Sequence, residues 1–198
     1  INSANIASLA QGFFNSAYHD SIAQGAYTSA ADYSFAQGNI NIATAHSFAQ
    51  GEGNSAYANS LAQGFRNTAD NMSIAQGNGN IAEVKSLAQG ETNTASWYSL
   101  GQGHSNSAYW YSHAEGEGNS AHGFSLAQGI LNGAYNSSMV QGNANSAYIL
   151  SLVQGESGYA TDASISQGHG NSADHRSIAQ GSGNKASYNS LAQGKNNS

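Results

Sequence analysis

The chain has 198 residues with 24 Gly, no Pro, no Cys and 8% charged side chains, and its 39% hydrophobic content is swollen by Ala and by 11 Tyr, so large aliphatic residues are too few for a conventional compact core. Eleven acids against five bases give a net charge of -6. The bases (Arg66, Lys85, Arg176, Lys185, Lys195) are scattered, which excludes nucleic acid as a partner, and no run approaches the roughly 18 apolar residues of a membrane span.

Read in chain order, residues 1–198 form a single uncapped repeat solenoid. Taking Phe13 as position one, the unit FFNSAYHDSIAQG recurs every 13 residues without insertion or deletion. Position five is Ala, position nine Ser and position thirteen Gly in all 15 copies. Position twelve is Gln except at Glu115, position ten is Leu, Ile, Phe or Met except at His113, and position three is Asn except at Thr28 and Gly158. A Gly in every repeat, with frequent Asn and Ser, argues against helix, since each Gly costs about 1 kcal/mol relative to Ala.

Strands remain, and the spacing predicts two per repeat. Ala17 and Ile22 differ in parity, so one straight strand cannot point both inward and each repeat must turn. The expected order is a strand over positions three to six, a corner at seven and eight, a strand over nine to twelve, and a tight corner at thirteen, one and two. Gly supplies positive φ at that second corner, and Asn at three bonds local backbone or its stacked copies. The predicted fold class is therefore all-β, a β-solenoid of fifteen 13-residue coils. Parity alone leaves open whether a coil takes one repeat or two.

On the second strand, Leu or Ile at ten is expected to face inward, with Gln at twelve forming an amide ladder beside it. Ser at nine and Ala at eleven then form the outer face. Because that face barely varies, it is expected to pack on another copy. The chain begins at position two and stops at position four, in mid-repeat, which suggests processing or a longer protein and leaves bare coil edges that flanking domains or stacked subunits would cover.

Two stretches carry a family resemblance. Tyr111-Ser112-His113-Ala114-Glu115-Gly116 and Asn93-Thr94-Ala95-Ser96-Trp97-Tyr98-Ser99-Leu100-Gly101-Gln102-Gly103 resemble the head repeats of trimeric autotransporter adhesins and related phage tail fibres, whose coils take about 14 residues rather than 13. The resemblance implies a left-handed β-roll, trimerisation, and a place outside the cell: cell surface, matrix or phage tail. Ala163-Ser164-Ile165-Ser166-Gln167-Gly168-His169-Gly170-Asn171-Ser172-Ala173 and Gly181-Ser182-Gly183-Asn184-Lys185-Ala186 are similar, in second rank, to curli-like fibre subunits. Both families imply a structural role without a cofactor.

The seven His fall in five repeat columns and form no metal ladder, and a Ser present in every coil reads as structural rather than nucleophilic. No catalytic, cofactor-binding or metal-binding constellation is predicted, and the chain reads as a non-enzyme. One coil departs twice from the pattern. His113 and Glu115, two residues apart on one strand face, are expected to form an internal His-Glu pair, with an ion- or anion-binding charged layer as the functional alternative. Trp97, Tyr98, Tyr109, Trp110, Tyr111 and Phe124 concentrate at the variable positions six to eight of neighbouring coils. They read either as a patch that grips glycans or a host surface or as an aromatic ladder that steadies adjacent coils. The expected function is thus an extracellular structural or adhesive fibre element whose partner is itself, as a homotrimer or an end-to-end filament. A curli-like amyloid filament and an ice-binding solenoid are the alternatives, the latter disfavoured because the six Thr occupy scattered columns.

Overall fold

A computed structural model describes all 198 residues as strands and turns, without helix. The chain divides into two compact units, Ile1–Tyr98 and Ser99–Ser198. In the first, eight short strands from Ser3–Asn5 to Thr94–Ser96 form one parallel sheet, and seven longer strands from Leu9–Phe13 to Leu87–Glu91 form another. In the second, eight long strands run from Leu100–His104 to Leu191–Lys195 and seven short ones from Ser107–Tyr109 to Lys185–Ser187. Each residue pairs with its equivalent 13 positions on, as Ala62 does with Ala75 and Thr68 with Ile81. One repeat therefore makes one coil, and the two units together hold about 15 turns of a β-solenoid.

The core is the reverse of the expected one on the long strand. Away from the chain ends, Ala at positions five and eleven is buried, with residues such as Ala56, Ala62, Ala69 and Ala75 at 0% exposure, joined by Val140 and Val153. Ser at nine is buried there as well. Leu or Ile at ten and Gln at twelve point outward: Leu9 is 51%, Ile22 38% and Ile74 41% exposed. The expectation of an inward Leu–Gln face and an outer Ser–Ala face packed on another copy is corrected accordingly. The two sheets of a 13-residue coil are joined by very short corners, which leaves an interior that methyl-sized side chains fill and branched ones would overpack.

The small interior is held together by polar ladders. Asn67 is buried, and its side-chain amide donates to the Gln63 and Gly77 carbonyls at 2.8 Å each, while its backbone N–H donates to Asn54 Oδ1 at 2.9 Å. The same set recurs at Asn54 and Asn80. Ser at nine adds a second ladder, with the Ser47 N–H donating to Ser34 Oγ at 3.1 Å. These buried polar groups are satisfied within the stack, which is the condition for burying them at all.

Corner geometry explains two further features. Positions two, seven and eight adopt the left-handed region even where they are not Gly, as at Phe14 (φ 53), His19 (φ 48) and Asp20 (φ 51). That conformation costs about 1–2 kcal/mol per L-residue. It is sustained because it turns the corner amides along the stack, where the His46 N–H donates to the Asp32 carbonyl at 2.8 Å and the Tyr33 N–H to that of His19 at 2.9 Å. Gly at thirteen, expected in a corner, lies instead inside the long strand. A Cβ on Gly64 would stand 2.1 Å from the Gly77 carbonyl oxygen, at φ +119, so close approach between coils as well as φ excludes any side chain.

Candidate interaction surfaces

Each unit shows two unlike outer faces. In the first unit the long-strand sheet presents Leu9, Ile22, Phe35, Phe48, Leu61, Ile74 and Leu87 in one column, and seven Gln in the next. Gln63 Nε2 donates to Gln50 Oε1 at 2.9 Å, and Gln76 Nε2 to Gln63 Oε1 at 3.0 Å, so the predicted amide ladder exists, on the outside. Phe35 and Phe48 stack at 4.9 Å. The short-strand sheet of the same unit shows Ser, Thr and Ile at position four and a mixture that includes Asp70 and Glu83 at position six.

In the second unit the same long-strand columns are interrupted by the atypical coil. His113 lies between Leu100 and Leu126, and Glu115 between Gln102 and Gln128. The structure brings the two together, His113 Nε2 standing 3.5 Å from Glu115 Oε2, while Gln128 Nε2 donates to that same carboxylate at 3.2 Å. The pair lies on the outer face, both side chains being more than a third exposed, rather than inside the coil. Glu115 thus keeps the amide ladder connected on one side by accepting where a Gln would.

Of the six aromatic residues singled out, Trp97, Tyr98, Trp110, Tyr111 and Phe124 occupy corners and Tyr109 ends the strand Ser107–Tyr109. Trp97 and Tyr98 close the first unit at 45% and 44% exposure, with Lys85 Nζ 3.1 Å from the Tyr98 hydroxyl. In the second unit Trp110, Tyr111 and Phe124 are exposed and Tyr109 is half-buried; Tyr111 stacks on Phe124 at 5.1 Å with parallel rings. Stacking of rings one coil apart also occurs at Tyr33 with His46 and at Tyr135 with Tyr148. Cross-coil stacking is thus a general device of this fold, and each unit adds one exposed Trp, Trp97 in the first and Trp110 in the second.

A cluster that the sequence reading passed over is Asp162, Asp174 and His175. His175 Nδ1 is 2.7 Å from Asp174 Oδ2 and its Nε2 is 3.8 Å from Asp162 Oδ2, beside a shallow depression that Arg176 and Tyr188 also line. The signal was present: Asp162 and His175 are 13 residues apart and hence stacked, with Asp174 adjacent. Similar cross-coil pairs join His19 to Asp32 at 3.0 Å and His169 to Glu156 at 3.5 Å. The trio offers three potential metal-ligating atoms, and ion pairing accounts for its geometry.

No family model and no curated protein matches the chain. Among solved structures it is similar to a UDP-N-acetylglucosamine acyltransferase from Campylobacter jejuni, at 9% identity and a TM-score of 0.36, over 70% of this chain and 65% of that one. It is also similar to a structure described as a candidate acetyltransferase from Desulfovibrio desulfuricans G20, at 7% identity and a TM-score of 0.27, over 71% of this chain and 52% of that one. The chain thus spans less than two thirds of either protein. The reading of this chain as a non-enzyme is corrected: the solved structures to which it is similar are named as an acyltransferase and an acetyltransferase.

Proposed function

We propose that the chain is an extracellular structural and adhesive fibre element that associates with copies of itself. The observation that supports this most directly is the uninterrupted in-register ladder within each unit. Every coil but that of His113 and Glu115 repeats the same apolar and Gln outward columns at a step of about 4.8 Å, without a loop inserted between coils. Such a surface offers one chemistry many times over, which suits multivalent attachment and assembly. The resemblance of the repeats to trimeric adhesin heads and phage tail fibres, and in second rank to curli-like subunits, supports a place at the cell surface, in a matrix or on a phage tail. The exposed Trp and Tyr corners are the part of the surface suited to glycans or another cell.

Electron microscopy of the purified chain, with mass determination in solution, tests the reading. Discrete multimeric rods or long unbranched filaments are the expected outcome. A chain that stays monomeric at every concentration and shows no filaments would overturn it.

A further inference from the structure

The long-strand face of the first unit has a property that core packing does not explain. Exposed corner columns drift freely: position one runs through Phe13, Ala26, Asn39, Glu52 and Phe65, and position two through Phe14, Tyr27, Ile40, Gly53 and Arg66. Position ten also reaches solvent, yet all seven of its residues in this unit are Leu, Ile or Phe. The Gln column is accounted for by its own amide ladder. The apolar column gains contacts along the stack, as Phe35 does with Phe48, but its outer surface points away from the Ala core and stays open to solvent. A solvated column under no constraint would admit the Ser, Glu and Lys that appear at other outward positions.

We infer that this face is the surface on which two copies of the chain pack, long-strand sheet against long-strand sheet. The inference rests on the self-association proposed above and names its interface and partner. A second copy is the occupant that the charge pattern fits. Columns ten and twelve of the first unit carry no ionisable group, so the face meets its own equivalent without like-charge repulsion, and Glu52 and Glu91 stand at the strand ends, where a rim remains hydrated. The opposite sheet mixes Asp70 and Glu83 with Tyr18, Tyr57, Ile42 and Ile81 in its outward columns and offers no uninterrupted uncharged column pair.

The area suffices. Seven strands about 4.8 Å apart and five residues of about 3.3 Å long make a face of roughly 550 Å², so two such faces remove on the order of 1,100 Å² from water. With the position-one rim counted in, that reaches the lower end of the range of specific interfaces, ~1,000–1,200 Å².

The test compares three full-length chains by sedimentation and electron microscopy, with circular dichroism as a check on the fold. Leu61→Lys with Leu87→Lys charges the long-strand face without touching the core. Ser55→Lys with Thr68→Lys charges the opposite sheet, at the column where Lys185 already stands in the other unit. The native chain and the second variant are expected to sediment as paired species, and the first variant at half their mass with an unchanged spectrum. Equal masses for all three folded chains would overturn the pairing. Native filaments of single-coil width would overturn it while leaving the fibre reading intact, whereas discrete pairs that never extend would uphold the pairing and sink the fibre. Thermal hysteresis from a monomeric native chain would assign the face to ice instead and overturn it too.

Discussion

Asn at position three illustrates how much a single side chain carries in a fold with an almost featureless apolar core. Asn67 supplies hydrogen bonds to two carbonyls and accepts one from the Asn80 N–H at 2.9 Å, so removing it leaves buried partners unmatched on three sides. Each unsatisfied buried group costs about 1–3 kcal/mol. Asn67→Ala is therefore expected to destabilise the chain by roughly 3 kcal/mol or more, measured as a drop in denaturant midpoint. Asn67→Ser, with a side chain too short to span both carbonyls, is expected to recover only a fraction of that loss. The requirement for Asn was legible from its recurrence, but its burial was not: Asn is usually a surface residue, and only the closed ladder offsets the desolvation.

Strands and their connections show a compensation within one coil. Val153 replaces the core Ala at position eleven, and five residues later Gly158 replaces Asn at position three. A Cβ on Gly158 would stand 2.6 Å from a Val153 methyl, whereas Val140, the other Val at position eleven, keeps its Asn145 with the bond to the Gln141 carbonyl lengthened to 3.3 Å. The Gly158 N–H still donates to Asn145 Oδ1 at 2.7 Å, so the ladder below is not broken. Gly158→Asn alone is expected to cost about 1–3 kcal/mol through overpacking, and adding Val153→Ala is expected to recover most of it. A double-mutant cycle on thermal stability checks this, and simple additivity would show that the two positions do not share space.

Across the molecule, a low-charge chain becomes a surface of parallel columns, and adhesion would arise from the columns with the largest exposed rings. Replacing both Trp97 and Trp110 by Ala is expected to reduce attachment to glycan-coated or cellular surfaces severalfold, with modest loss of stability from the partly buried ring area removed. Binding and melting curves recorded on the same preparation separate the two effects. Reduced stability with attachment fully preserved would assign the aromatic corners to cohesion between coils alone.

The repeat, its all-β character, the two strands per coil and the ladders of Asn and Gln were all legible in the amino-acid order, because identical residues at a fixed interval must stack like on like. The pairing of Asp162, Asp174 and His175 was implicit in the same interval. Which face of the long strand is buried was settled at the tertiary level. Periodicity assigns alternate residues to opposite faces but does not say which is inside, and hydrophobicity chose Leu and Ile. The narrowness of a coil closed by short corners outweighed that preference: Ala and Ser fit the space between the sheets, and the larger apolar side chains face outward.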